Sequence, residues 1–147
     1  MIVSVTQDDG TVERLSTDDL SAIEAARIEE AMGVQWRSIA DLLRAQDPTA
    51  MRAIVWAFRR REQPDLKFTD FDVPQWRRRL RARIERPEID EVLNNIMIEA
   101  LAKNEDSAID AVVPHLRKLA DNRDDVAAAL DDLGKGHLVP GRKDSAG

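Results

Sequence analysis

Apolar positions along this chain recur with two periods. Near the start they alternate in short β-branched runs: Ile2, Val3 and Val5 precede Asp9-Gly10, and Val12 and Leu15 follow. A glycine after aspartate accepts the positive φ of a tight turn, so this stretch predicts a β-hairpin. A lone hairpin is marginal in water and needs helices or another chain to pack on.

From residue 16 the period becomes helical. Ser16 or Thr17 is the expected N-cap of a first helix, with Asp18 and Asp19 in its first turn. Leu20, Ile23, Ile28 and Met32 form its expected inward stripe, Glu24 and Arg27 leave one edge wet, and Gly33 ends it. Trp36, Ile39, Ala40 and Leu43 fall at i, i+3, i+4 and i+7 on a short second helix. Asp47-Pro48 opens a third, in which Met51, Ile54, Val55 and Phe58 repeat that spacing while Ala50, Ala53, Trp56 and Ala57 widen the apolar surface. A helix apolar nearly all round belongs at a centre. Trp36 and Trp56 are therefore expected in the core.

Residues 62–75 read as an extended strap between Pro64 and Pro74, anchored by Leu66, Phe68 and Phe71, with a turn required at Thr69-Asp70. Trp76 to Glu85 is predicted as a short basic helix broken by Pro87. Three more stripes follow: Ile89, Val92, Leu93, Ile96 and Ala100; Ile109, Val112, Val113, Leu116 and Leu119, interrupted or bent at Pro114; and Val126, Ala127, Leu130 and Leu133 before Gly134. The expected fold is mainly α, an irregular helical bundle of about six to seven helices with a short N-terminal β-hairpin. Its parts are 1–72 (hairpin, three helices and strap), 73–133 (C-terminal helices) and 134–147 (a disordered tail).

Composition narrows the chemistry. The 147 residues include no cysteine and two histidines, His115 and His137, which removes thiolate sites and leaves little for imidazole catalysis. His115 near Asp110 and Asp121, and Asp70 beside Asp72, are weighed as metal ligands and read as solvated residues; no cofactor is expected. Six scattered glycines build no phosphate loop. No apolar run approaches ~20 residues, and Met1–Val5 has no basic leader, so a cytoplasmic protein without signal peptide is expected. These exclusions point away from an enzyme.

Net charge −6 is distributed in blocks: residues 1–51 sum to −6, 52–86 to +6 and 87–147 to −6. A basic centre between acidic flanks suits internal pairing, self-association or an acidic partner, and the flanks disfavour general nucleic-acid binding. Arg59, Arg60, Arg61, Trp76, Arg77, Arg78 and Arg79 are the candidate partner-binding residues. The alternative is that these arginines pair with the acidic flanks or cover apolar surface with their stems. Trp76 divides between packing under the strap and anchoring a contact.

The order of elements resembles a known family. It runs from the hairpin with Asp9-Gly10 through Glu29-Glu30-Ala31-Met32-Gly33, Trp36, Met51-Arg52-Ala53-Ile54-Val55-Trp56 and Arg59-Arg60-Arg61-Glu62 to Leu66-Lys67-Phe68-Thr69-Asp70-Phe71-Asp72. Over residues 1–72 this is similar to the tail assembly chaperones of long-tailed bacteriophages, of the actinobacterial phage or prophage type. The resemblance implies a non-enzymatic protein of the host cytoplasm, absent from the virion, that binds the tape measure protein and assists tail tube assembly. It also implies the tail tube protein and a frameshifted longer form of the chain as partners, with Gly134-Lys135 compatible with a slippery codon pair. The alternative from the residues is a helical regulatory or nucleic-acid-binding module using Arg59–Arg83.

Overall fold

The computed structural model describes residues 1–105 and 107–134. It is mostly helical, with a small antiparallel sheet. Two compact units divide it: Met1–Arg83, and a second from Ile84 onward. The boundary follows Arg83 rather than residue 72, because the chain returns to the sheet before leaving the first unit.

In the first unit, strands β1 (Ile2–Thr6) and β2 (Val12–Ser16) form the expected hairpin, pairing Val3 with Leu15 and Val5 with Glu13. Gly10 closes the turn at φ +87°, its N–H donating to the Gln7 carbonyl at 3.0 Å. Asp9 fixes the loop by accepting from the Thr11 N–H (2.9 Å) and hydroxyl (2.6 Å).

The sheet has a third strand, which corrects both the hairpin and the basic helix. Only Trp76–Arg79 is helical (α4); Leu80–Arg83 is strand β3 and pairs antiparallel with β1 in the order β2-β1-β3. Leu80, Ala82 and Ile84 are buried, while Arg81 between the first two is exposed. That alternation is a strand period, hidden behind a run of arginines that favours helix by propensity alone.

Helix α1 (Ala22–Met32) also begins later than expected. Thr17–Asp19 is a 3₁₀ turn, and Ser21 with Glu24 forms the capping box. In consequence Ile28 is the buried residue of α1, and Ile23, expected on its inner stripe, is 66% exposed. Helix α2 (Trp36–Arg44) buries Ile39 and Leu43, whereas Trp36 is half-buried rather than core. Helix α3 (Pro48–Arg59) is capped by Asp47, whose carboxylate accepts from the Ala50 N–H at 2.8 Å. It buries Ala50, Met51, Ala53, Ile54, Val55, Trp56 and Ala57 against α1, α2 and the sheet. Phe58, on its expected inner face, is half-buried under Arg61.

The strap lies along α3 and is less extended than expected: it turns at Gln63–Leu66, where the Leu66 N–H donates to Gln63 O at 3.0 Å, and again as a 3₁₀ segment at Phe68–Asp70. Its main-chain carbonyls are held by three donors spaced four residues apart on the helix. Arg60 donates to Pro64 O (2.7 and 3.1 Å), Trp56 Nε1 to Leu66 O (3.0 Å), and Arg52 to Phe68 O (2.7 Å) and Phe71 O (2.8 Å). Arg52 also lies 3.8 Å from the Phe68 ring centroid, and Phe68 meets Trp56 edge-on at 5.3 Å.

The second unit contains α5 (Arg86–Lys103), α6 (Ala108–Leu119) and a further helix, α7, over 124–134. Pro87 starts α5 instead of breaking the chain, since its missing N–H falls in the first turn. Helix α6 continues through Pro114. Ile84 bridges Ala120, its N–H donating to Leu119 O at 2.9 Å and its carbonyl accepting from the Asp121 N–H at 2.8 Å. Arg86 ties the two ends of this unit, reaching Asp90 at 2.9 Å and Asp132 on α7. The expected disordered tail lies, from residue 135 on, outside the described residues, as does His137.

Candidate interaction surfaces

Three of the candidate arginines make their contacts inside the first unit. Arg59 pairs two-pronged with Glu13 on β2 (2.6 and 3.0 Å), which holds the Glu13 carboxyl below its ordinary range and raises the guanidinium. Arg61 grips Glu24 on α1 with two bonds of 2.9 Å, donates to Asp19 O at 2.7 Å and covers the Phe58 ring. The hydrogen bonds from Arg61 lower the Glu24 pKa to about 2. Arg60 belongs to the strap and stacks 5.4 Å from the Trp56 ring. The end of α3 thus fastens β2, α1 and the strap at one place, favourably for its dipole.

The second arginine cluster is divided. Arg79 is partly covered, donating to Thr6 O at 3.0 Å, with Asp8 3.9 Å away. Arg77 and Arg78 are exposed, and Arg77 lies 5.5 Å from the Trp76 ring. Trp76 is half-buried and borders a cavity of about 100 Å³ with Pro48, Thr49, Asp72 and Val73. Arg81, within the Arg59–Arg83 basic stretch, stands exposed on β3. Arg77, Arg78 and Arg81 are exposed cations of this second cluster.

The second unit presents a different chemistry. Helix α5 buries Ile89 and Leu93, yet Ile98 and Leu101 are 66% and 64% exposed. At 100° per residue, Ile98 is opposite Ile89, with Leu101 one turn on. A groove of about 220 Å³ runs beside them, lined by Met97, Ala100, Leu101, Asn104, Glu105 and Ile109. Exposed Glu91, two turns before Ile98 on the same line, and Glu105 at the groove give this apolar surface an acidic border. Only the failure of Ile98 and Leu101 to fit the inward stripe of α5 signals this face in the sequence.

Among the described residues no group of three histidine, aspartate or glutamate side chains is placed to hold a metal, and no helix is long and apolar enough to cross a membrane. Comparison with protein-family models, curated proteins and solved structures gives no match.

Proposed function

We propose that this chain is a non-enzymatic tail assembly chaperone that binds the tape measure protein of a long-tailed phage in the host cytoplasm and assists tail tube assembly. The observation that carries this reading is the outward apolar face of α5, Ile98 and Leu101 beside the Met97–Ile109 groove. A holdase for a long helix needs an apolar face of this kind on a charged exterior. The acidic border selects an amphipathic helix whose apolar stripe is flanked by lysine or arginine. The order of elements over residues 1–72 supplies the family resemblance. The tail tube protein, a longer frameshifted form and a second copy are further partners in this reading.

Co-expression with the tape measure protein tests it. Ile98→Asp with Leu101→Asp abolishes co-purification and leaves the partner insoluble, while the unmodified chain holds it in solution at low and high salt. A tape measure protein that is equally soluble without the chain, with no complex at any salt, overturns the reading. The exposed Arg77, Arg78 and Arg81 favour a second reading, a nucleic-acid-binding or regulatory module. Retention on DNA or heparin that falls steeply with salt supports that one instead.

A further inference from the structure

The outer edge of β3 is closed by the chain itself. Thr17 and Gln7 bond across the hairpin to Met1 and Thr11, so odd-numbered residues of β1 face β2 and even-numbered ones face β3. Arg81 and Arg83, opposite Ser4 and Ile2, therefore direct their main-chain groups to β1, and Leu80 and Ala82 direct theirs outward. The Leu80 N–H donates to Trp76 O, and its carbonyl accepts from Arg81 Nη1 at 2.9 Å. The Ala82 N–H donates to Gln46 Oε1 at 2.9 Å, and the Ala82 carbonyl accepts from Gln46 Nε2 at 2.9 Å. One side-chain amide thus supplies both bonds that a residue of a neighbouring strand supplies.

Gln46 holds this position against its backbone preference. It follows α2 at φ +58°, with its N–H on Leu43 O and the next N–H, of Asp47, on Leu42 O. That is the left-handed helix-end position normally given to glycine. A side chain with a Cβ is strained there, and the sheet edge is what this side chain reaches.

We propose that Gln46 guards the sheet edge: its carboxamide occupies the pairing groups of Ala82 and prevents a second copy of this chain from adding to the sheet through β3. The strand carries a second barrier. Antiparallel β3–β3 pairing sets Arg81 against either Arg81 or Arg83 of the second copy, and like charges directly opposite are unfavourable. Raising the salt to about 1 M shrinks the Debye length to ~3 Å and weakens that repulsion.

Gln46→Gly and Gln46→Asn test the guard, because both residues accept the left-handed position while neither reaches Ala82. The measurements are sedimentation velocity at about 0.1 and 1 M salt and amide exchange at Ala82, each beside the unmodified protein. As monomers at low salt both variants exchange Ala82 about tenfold faster, and at high salt they shift toward dimer beyond the unmodified chain, the added strand protecting Ala82 again. Adding Arg81→Ser to Gln46→Gly brings the dimer at low salt. Variants that sediment like the unmodified protein at both salts overturn the proposal, whatever their exchange. So does a dimer in which Ala82 exchanges as fast as in the monomeric variants, since that association is elsewhere, and so does failure of both variants to fold, which makes Gln46 a requirement of the fold.

Discussion

Among single residues, Glu24 and Arg61 carry the clearest pH signature. Glu24 titrates at about 2 in the folded chain against an ordinary 4.5, because Arg61 bonds its charged form. A carboxylate depressed on folding adds stability that is complete above its unfolded pKa and is lost as pH falls through the folded one. Stability therefore drops between about pH 5 and pH 2, and Glu24→Gln makes that slope shallower in acid titrations followed by circular dichroism. An unchanged slope contradicts the assignment. Arg52 yields a second contrast. Arg52→Met removes a charged donor from two strap carbonyls and costs about 2–3 kcal/mol in denaturant unfolding, whereas Arg78→Met, on the open surface, stays within about 0.5.

At the level of elements, α3 is the centre of the first unit, so Val55→Asp, which buries a charge at a residue 1% exposed, unfolds that unit. Unchanged melting rules out this central role. Replacing Leu93, equally buried in α5, by alanine costs about 2–5 kcal/mol in the second unit. The elements differ in how legible they were. Asp47-Pro48 and the apolar surface after it identify α3 from sequence because cap, first-turn proline and burial agree. β3 was not legible: its partner is Ile2–Val5, nearly the whole first unit away, and five arginines masked a four-residue alternation. The start of α1 was misplaced because Ser16 and Ser21 are both good caps, and only packing selects the second. Of the candidate site, the arginines could be named, but which of them would be consumed by Glu13, Glu24 and the strap depends on contacts far along the chain.

For the whole molecule, two surfaces of opposite character predict separable behaviour. A complex built on Ile98 and Leu101 persists at about 1 M salt, where the Debye length is ~3 Å. Arg77 and Arg78 changed together to glutamate alter its on-rate or the size of self-associated species more than the final amount of partner held in solution. Stopped-flow binding beside a sedimentation assay separates the two effects. Equal loss of on-rate and solubilised partner places the arginines within the main contact.

The three donors along α3 also set the kind of change the strap tolerates. The strap turns at Gln63–Leu66, the Leu66 N–H donating to Gln63 O at 3.0 Å, and again at Phe68–Asp70. With these turns Arg60, Trp56 and Arg52 meet the carbonyls of Pro64, Leu66 and Phe68, every second one in turn. Because the rungs grip oxygens common to all amino acids, the letters at Asp65 and Lys67 are free to drift, while the count of residues is not. A single insertion between Pro64 and Leu66 breaks the turn that brings Leu66 O to Trp56 and carries each later carbonyl off its donor. The segment is thus spelled loosely but metered strictly, and deletions or insertions there are far more damaging than substitutions.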